Sequence, residues 1–195
     1  MSAEGNARLT AATAAVLLVL LAAEGATIPF IGQLTTLHIF LGVLLVPVVL
    51  LKAGSSAWRF GSYYLGRDEY IRRGPPPPFL RLLVAPLVVV STAVLFGTGL
   101  LLVALSPQRG AVLGLHKASF LVWFAAMTVH VLAHVLRIPG LVRDDLRAGQ
   151  RGATVRQFAV AGAVVAGLVT AVVLLPEAHG WSQWAALHHR HHDDG

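Results

Sequence analysis

The sequence predicts an all-α integral membrane protein, a bundle of five transmembrane helices with the N-terminus cytoplasmic and the C-terminus outside. Three observations carry this expectation. Of 195 residues, 56% are hydrophobic and only 12% charged, with a mean hydropathy of +0.71, whereas a soluble domain is about one-quarter charged. The apolar residues fall in long runs rather than amphipathic stripes, as membrane spans do. The fifteen Lys and Arg residues are also unevenly shared between alternate loops.

The five runs cover residues 9–30, 34–51, 82–105, 115–136 and 158–175, each close to the ~20 residues a spanning helix needs. The first follows Arg8 and carries AAEGA, which imitates a signal-peptide cleavage site. Its apolar run is long, so it reads as an uncleaved first helix. Arg8, then Lys52, Arg59, Arg67, Arg72, Arg73 and Arg81, then Arg137, Arg143, Arg147, Arg151 and Arg156 lie at the N-terminus and in the second and fourth loops. Lys117, Arg109 and Arg190 lie on the other side. Twelve against three is a positive-inside pattern, and it sets the orientation in a plasma membrane. The net charge of +6 is thereby assigned to membrane topology, and no nucleic-acid partner is expected.

Residues 1–176 thus read as the five-helix membrane domain, and residues 177–195 as a polar, histidine-rich tail. No internal sequence repeat is evident. The first inner loop, GSSAWRFGSYYLGRDEYIRRGPPPPFLR, reads as a polar, irregular connector. Its aromatics and arginines suit the headgroup level, and four prolines stop it before the third span. A docking surface for a cytoplasmic partner is the sharper reading of the same stretch. In the fifth span, Gly162 with Ala166 and Ala163 with Gly167 have small-xxx-small spacing, which permits close packing inside the bundle or dimerisation. The tail LHHRHHDDG resembles a weak metal binder or a purification tag; interrupted by Arg190 and followed by acids, it reads as a native tail.

There is no cysteine, which excludes disulfides, thiolate metal sites and covalent haem attachment through C-x-x-C-H. The chemistry must come from histidine. Ionisable residues inside a span are costly and mark function by default. His38 lies a turn inside the second span and His116 opens the fourth, so on parallel helices they share a depth in the outer half of the membrane. Two imidazoles on facing helices suit the axial positions of a b-type haem. Gly42, one turn below His38, leaves room for the flat face of a porphyrin.

His130 follows His116 by fourteen residues, nearly four turns and about 21 Å along one helix face. Trp123 falls midway, and His134 is one turn further on. Fourteen residues after His38 stands Lys52, where a two-haem arrangement calls for another histidine. One haem is therefore expected, with an incomplete second site inside; the axial-ligand candidates are His38, His116 and His130, with His134 as the alternative. Structural zinc, which wants four ligands and usually some cysteine, fits poorly. Glu24, near the outer end of the first span, reads as an acid at the water interface, with proton relay or quinone contact as the alternative.

LHIFLGVLLVPVVLLKAG followed by LHKASFLVWFAAMTVHV resembles the membrane cytochrome b subunits of nickel–iron hydrogenases and formate dehydrogenases. More narrowly, it is similar to the membrane domain ahead of the molybdopterin domain in some actinobacterial oxidoreductases. The likeness spans roughly residues 25–140. It implies that His38, His116 and His130 match the motif's histidines and Lys52 its lysine. The chain departs in having no molybdopterin domain, so a redox partner, such as a molybdoenzyme, would be a separate protein. It also lacks the first-span histidine of the hydrogenase type.

The function expected is a haem b subunit passing electrons between the quinone pool and that partner, not a stand-alone catalyst. A haem-free multi-pass protein, either transporter-like or a scaffold subunit, is the alternative, as is a transition-metal permease or sensor.

Overall fold

The computed structural model describes residues 2–72, 74, 78–105, 110–134, 152–178, 180 and 181. Helices are the only regular elements among them: α1 (Ala3–Thr27), α2 (Ile31–Tyr64), a single turn α3 (Asp68–Ile71), α4 (Ala85–Ala104), α5 (Gly110–His134) and α6 (Ala153–Val173). Four helical stretches are long and apolar enough to cross a membrane: Ala3–Tyr64, Leu80–Ala104, Gly110–His134 and Ala153–Val173. Their outward faces are apolar, with Val19, Leu50, Val89, Leu121, Leu132 and Phe158 all exposed. Such a surface suits acyl chains rather than water. This is a membrane protein.

The first stretch is 62 residues long, but it is not one rod. Pro29 has no amide hydrogen to continue the helix ladder. It sits within a short 3-10 turn, Ile28–Phe30, and a distorted Leu34 (φ −108°, ψ 18°) follows. The chain reverses there, and α1 packs antiparallel on α2. The register is continuous: Asn6 Nδ2 donates to the Ser55 carbonyl at 3.0 Å, Lys52 Nζ to the Thr10 carbonyl at 3.1 Å, and Leu17 packs on Leu45. Ser2 caps α1, its Oγ accepting the Gly5 N–H at 3.1 Å, one of the donors a helix start leaves unpaired.

The second helix departs from expectation. Its apolar run ends near Leu51, yet the helix continues to Tyr64. The stretch KAGSSAWRFGSYY contains no proline, and hydropathy marks where lipid contact ends rather than where a helix must stop. The first part of the expected irregular connector is therefore helical, and 34 residues of α2 reach about 51 Å, well beyond a ~30 Å hydrocarbon core. Gly66, at φ +77°, turns the chain after it. Beyond the turn, Arg67 lies over the Trp58 ring at 4.7 Å, and Trp58 Nε1 donates to the buried Tyr70 hydroxyl.

Helix α6 lies antiparallel in the groove of this first hairpin. Ala163 and Val164 touch the cluster of Leu17, Leu45 and Val48, and Ala171 is buried with Val43 and Leu44. Between them Gly167 presses on Leu44, so closely that a Cβ there would overlap its carbonyl oxygen. One of the two expected small-residue pairs, Ala163 with Gly167, thus packs inside the bundle. The other, Gly162 with Ala166, faces outward.

Helices α4 and α5 form a second antiparallel hairpin, entered through a π-helical turn at Leu80–Val84. Pro86 cannot donate to the preceding turn, which accounts for the displaced ladder there. Phe96 of α4 reaches the Leu17–Leu45–Val48 cluster and joins the hairpins. Contact between α2 and α5 is slight, so the side chains between them are not sealed by backbone packing. Arg137, Arg143, Arg147 and Arg151, together with the tail LHHRHHDDG, lie outside the described residues.

The packing at Gly167 makes a specific expectation. Gly167→Ala should destabilise the detergent-solubilised protein by about 1–3 kcal/mol, the usual penalty of overpacking, whereas Gly162→Ala should be neutral or slightly stabilising. Thermal melts of the two variants test the difference, and equal melts would show that α6 does not seat on Leu44.

Candidate functional site

Histidine buried in an apolar bundle must give its N–H to an acceptor, because an unmade hydrogen bond there costs about 1–3 kcal/mol. In the first hairpin, His38 on α2 turns towards α1. Its Nδ1 lies 2.8 Å from Thr27 Oγ1 and 3.0 Å from Glu24 Oε1. Thr27 Oγ1 already donates its own hydrogen to the Glu24 carbonyl at 2.6 Å. The hydroxyl therefore accepts from His38, and Nδ1 carries the proton.

The second hairpin repeats the device. His116 on α5 turns towards α4, where its Nδ1 lies 3.1 Å from both Thr98 Oγ1 and the Leu95 carbonyl. A carbonyl can only accept, so Nδ1 carries the proton here as well. Thr98 donates to the Val94 and Leu95 carbonyls at 2.7 and 3.0 Å. Each hairpin thus places a threonine on its first helix, bonded back to its own turn, beneath a histidine on its second.

The consequence is chemical. A neutral imidazole protonated at Nδ1 carries its lone pair at Nε2, and neither Nε2 makes a hydrogen bond among the described residues. That is the arrangement of a metal-ligating histidine, whose second nitrogen is held by an outer partner. The two imidazoles also lie within electrostatic reach of one another.

Around them the glycines differ in role. Gly99 faces His116, and a Cβ there would come within 3.3 Å of its Cε1. The open side of Gly42, expected to receive a flat cofactor, faces Glu24, with a Cβ position 3.5 Å from Oε1. Glu24 is no acid at a water interface. Its side chain is 15% exposed, and its Oε2 is buried with no hydrogen-bond partner.

At the opposite end of the bundle the groups are less convergent. His130 and His134 stack at 4.7 Å, and His134 Nδ1 donates to the His130 carbonyl of its own helix at 2.9 Å. Lys52 is tied to Thr10 of α1 and lies within electrostatic reach of His130. Trp123, midway along α5, is buried and donates to Thr92 Oγ1 of α4 at 3.0 Å. No group of three or more His, Cys, Asp or Glu side chains is disposed to hold a metal ion among the described residues.

No protein-family model matches the chain, and neither a curated protein nor a solved structure shows significant similarity to it. The site stands on its geometry.

Glu24, Thr27, Thr98 and Gly99 join the site although sequence reasoning gave none of them this role. The usable signal was polarity within apolar runs. Glu24, Thr27 and Thr98 stand near the ends of spans whose antiparallel neighbours begin with His38 and His116, and hairpin register brings them level.

The tautomers can be read directly. In ¹⁵N-histidine-labelled protein freed of any bound cofactor, His38 and His116 should show protonated Nδ1 and bare Nε2 at neutral pH. A spectrum with Nε2 protonated in either residue would contradict the threonine-anchored geometry.

Proposed function

We propose that this protein is a b-type cytochrome of the plasma membrane, holding one haem b between His38 and His116. The observation that carries it is the matched pair of imidazoles, each anchored at Nδ1 by its own hairpin and unpartnered at Nε2. Porphyrin fills four positions on iron and leaves two axial ones, so two histidines suffice for haem but fall short of the four ligands of structural zinc.

In this reading the chain crosses the membrane five times, with the N-terminus cytoplasmic and the C-terminus outside. The antiparallel α1–α2 hairpin supports counting its two helices separately, and Arg8, Lys52, Arg59, Arg67 and Arg72 gather at one end of it. The haem site then lies in the outer half of the bilayer. Haem supplies a reversible one-electron carrier; the chain supplies the ligands, fixes their ring planes and tunes their donor strength. The protein passes electrons between the quinone pool and a separate redox protein, of which a molybdoenzyme is one candidate. Lys52, His130 and His134 are the polar groups available to a quinone headgroup at the inner end, with Trp123 between the two ends. No second haem is assigned, because Lys52 occupies the matching position.

One observation favours a second reading. The same Nδ1 bonds join helices within each hairpin, and interhelical bonding by membrane histidines needs no cofactor. A haem-free multi-pass subunit would then result.

Haem content separates the two. After expression with ample haem, the purified protein should show Soret and α bands on reduction and one haem per chain by pyridine haemochrome assay. His38→Ala or His116→Ala should each abolish the haem, whereas His134→Ala should leave its spectrum intact. A colourless parent protein would favour the haem-free reading, and full haem in both ligand variants would show the pairing to be wrong. The topology has its own test. A reporter fused after Gly195 should be active outside, and one inserted between Arg143 and Arg151 should be active in the cytoplasm; the reverse pattern would invert every depth assigned here.

A further inference from the structure

The two histidines are anchored alike but not equally. His116 gives its Nδ1 hydrogen to a hydroxyl and a backbone carbonyl, those of Thr98 and Leu95. His38 gives its hydrogen to a hydroxyl and to the Glu24 carboxyl, 3.0 Å away. No lysine or arginine pairs with Glu24 among the described residues, and its second oxygen is buried without a partner. The carboxyl lies beside Gly42 of α2. A buried carboxyl whose one close polar side-chain contact is an imidazole N–H is costly to keep, and helix packing alone gives no reason for it.

Resting on the haem reading above, we infer that Glu24 is a positioning residue that strengthens His38 as an axial ligand and lowers the reduction potential of the haem. A carboxyl accepting the Nδ1 hydrogen pushes electron density through the ring to Nε2, raising its basicity. A more basic axial nitrogen stabilises ferric over ferrous iron. Hydrogen bonding beyond the ligand is one of the levers by which a protein sets haem potential; both histidines are so bonded, and His38 alone is bonded to a carboxyl. Thr27 holds the ring plane whether or not the carboxyl is present, so ligation and tuning are separable in His38.

Potentiometric titration of the haem-loaded protein tests this, with the ferric low-spin EPR signal as the check on ligation. Glu24→Gln keeps an acceptor oxygen but weakens it. The variant should retain one haem and its bis-histidine signal while its midpoint moves positive. The reduced-to-oxidised ratio at fixed ambient potential should rise about tenfold, which is ~59 mV for a one-electron couple. Glu24→Leu should move further in the same direction, and Thr98→Val less than either, because the Leu95 carbonyl remains. An unchanged or negative shift in Glu24→Gln, or loss of its haem, would overturn the tuning role and leave Glu24 structural. A parent protein that binds no haem would overturn the cytochrome reading itself and this inference with it. A haem-loaded parent with an unmoved variant overturns the inference alone.

Discussion

An imidazole in a membrane interior has one hydrogen to place, and in this protein that placement orders everything near it. His38 and His116 each direct Nδ1–H back into their own hairpin, onto a threonine that has already given its hydroxyl hydrogen to the preceding turn. The chain of donors is thereby complete, and the ring can neither exchange tautomers nor rotate without breaking a buried bond. What is left over is a lone pair on each Nε2. The site's chemical character follows from a satisfied hydrogen-bond inventory rather than from a preformed cage.

The fold serves that constraint. Antiparallel hairpins are the shortest way to bring the end of one helix level with the beginning of the next, and in each hairpin a histidine meets a threonine there. The α1–α2 hairpin is braced by α6, where a glycine lets two backbones meet, while α4 and α5 meet it mainly through Phe96. Packing is thus densest within each half. A cofactor bound between the halves would add the contacts that the protein does not make for itself, so its loss would loosen the seam before it loosened either hairpin.

Much of this was legible in the sequence, though unevenly. Hydropathy located the helical runs, and the break around residues 30–34 coincides with the turn after Pro29, because lipid exposure and helix interruption both leave strong local signals. The length of α2 was not legible, since its last residues are helical but polar, and polarity was read as irregularity. Spacing and topology put His38 and His116 at one depth, and the two lie within electrostatic reach of one another; their pairing on one haem is the proposal above. The anchoring of their rings did not follow from spacing, because it depends on which acceptors a hairpin turn brings opposite each histidine, a relation spread over eleven residues in one case and eighteen in the other. Glu24 was misjudged for the same reason: it stands near a span end, where water is the ordinary neighbour, but its hairpin partner is a histidine.

The contrast between the two ends of the bundle bears on what the protein does. At one end, polar groups converge on two nitrogens and leave them open. At the other, Lys52, Asn6, Thr10 and Ser55 spend their polarity on bonding α1 to α2, and His134 turns back on its own helix. Polar groups left open in a bilayer are expensive, and they are not confined to one level: Asn6 Oδ1 and Arg81 Nε, like Glu24 Oε2, are buried without a partner among the described residues, so the two ends differ in which side chains converge rather than in whether any polar atom is left open.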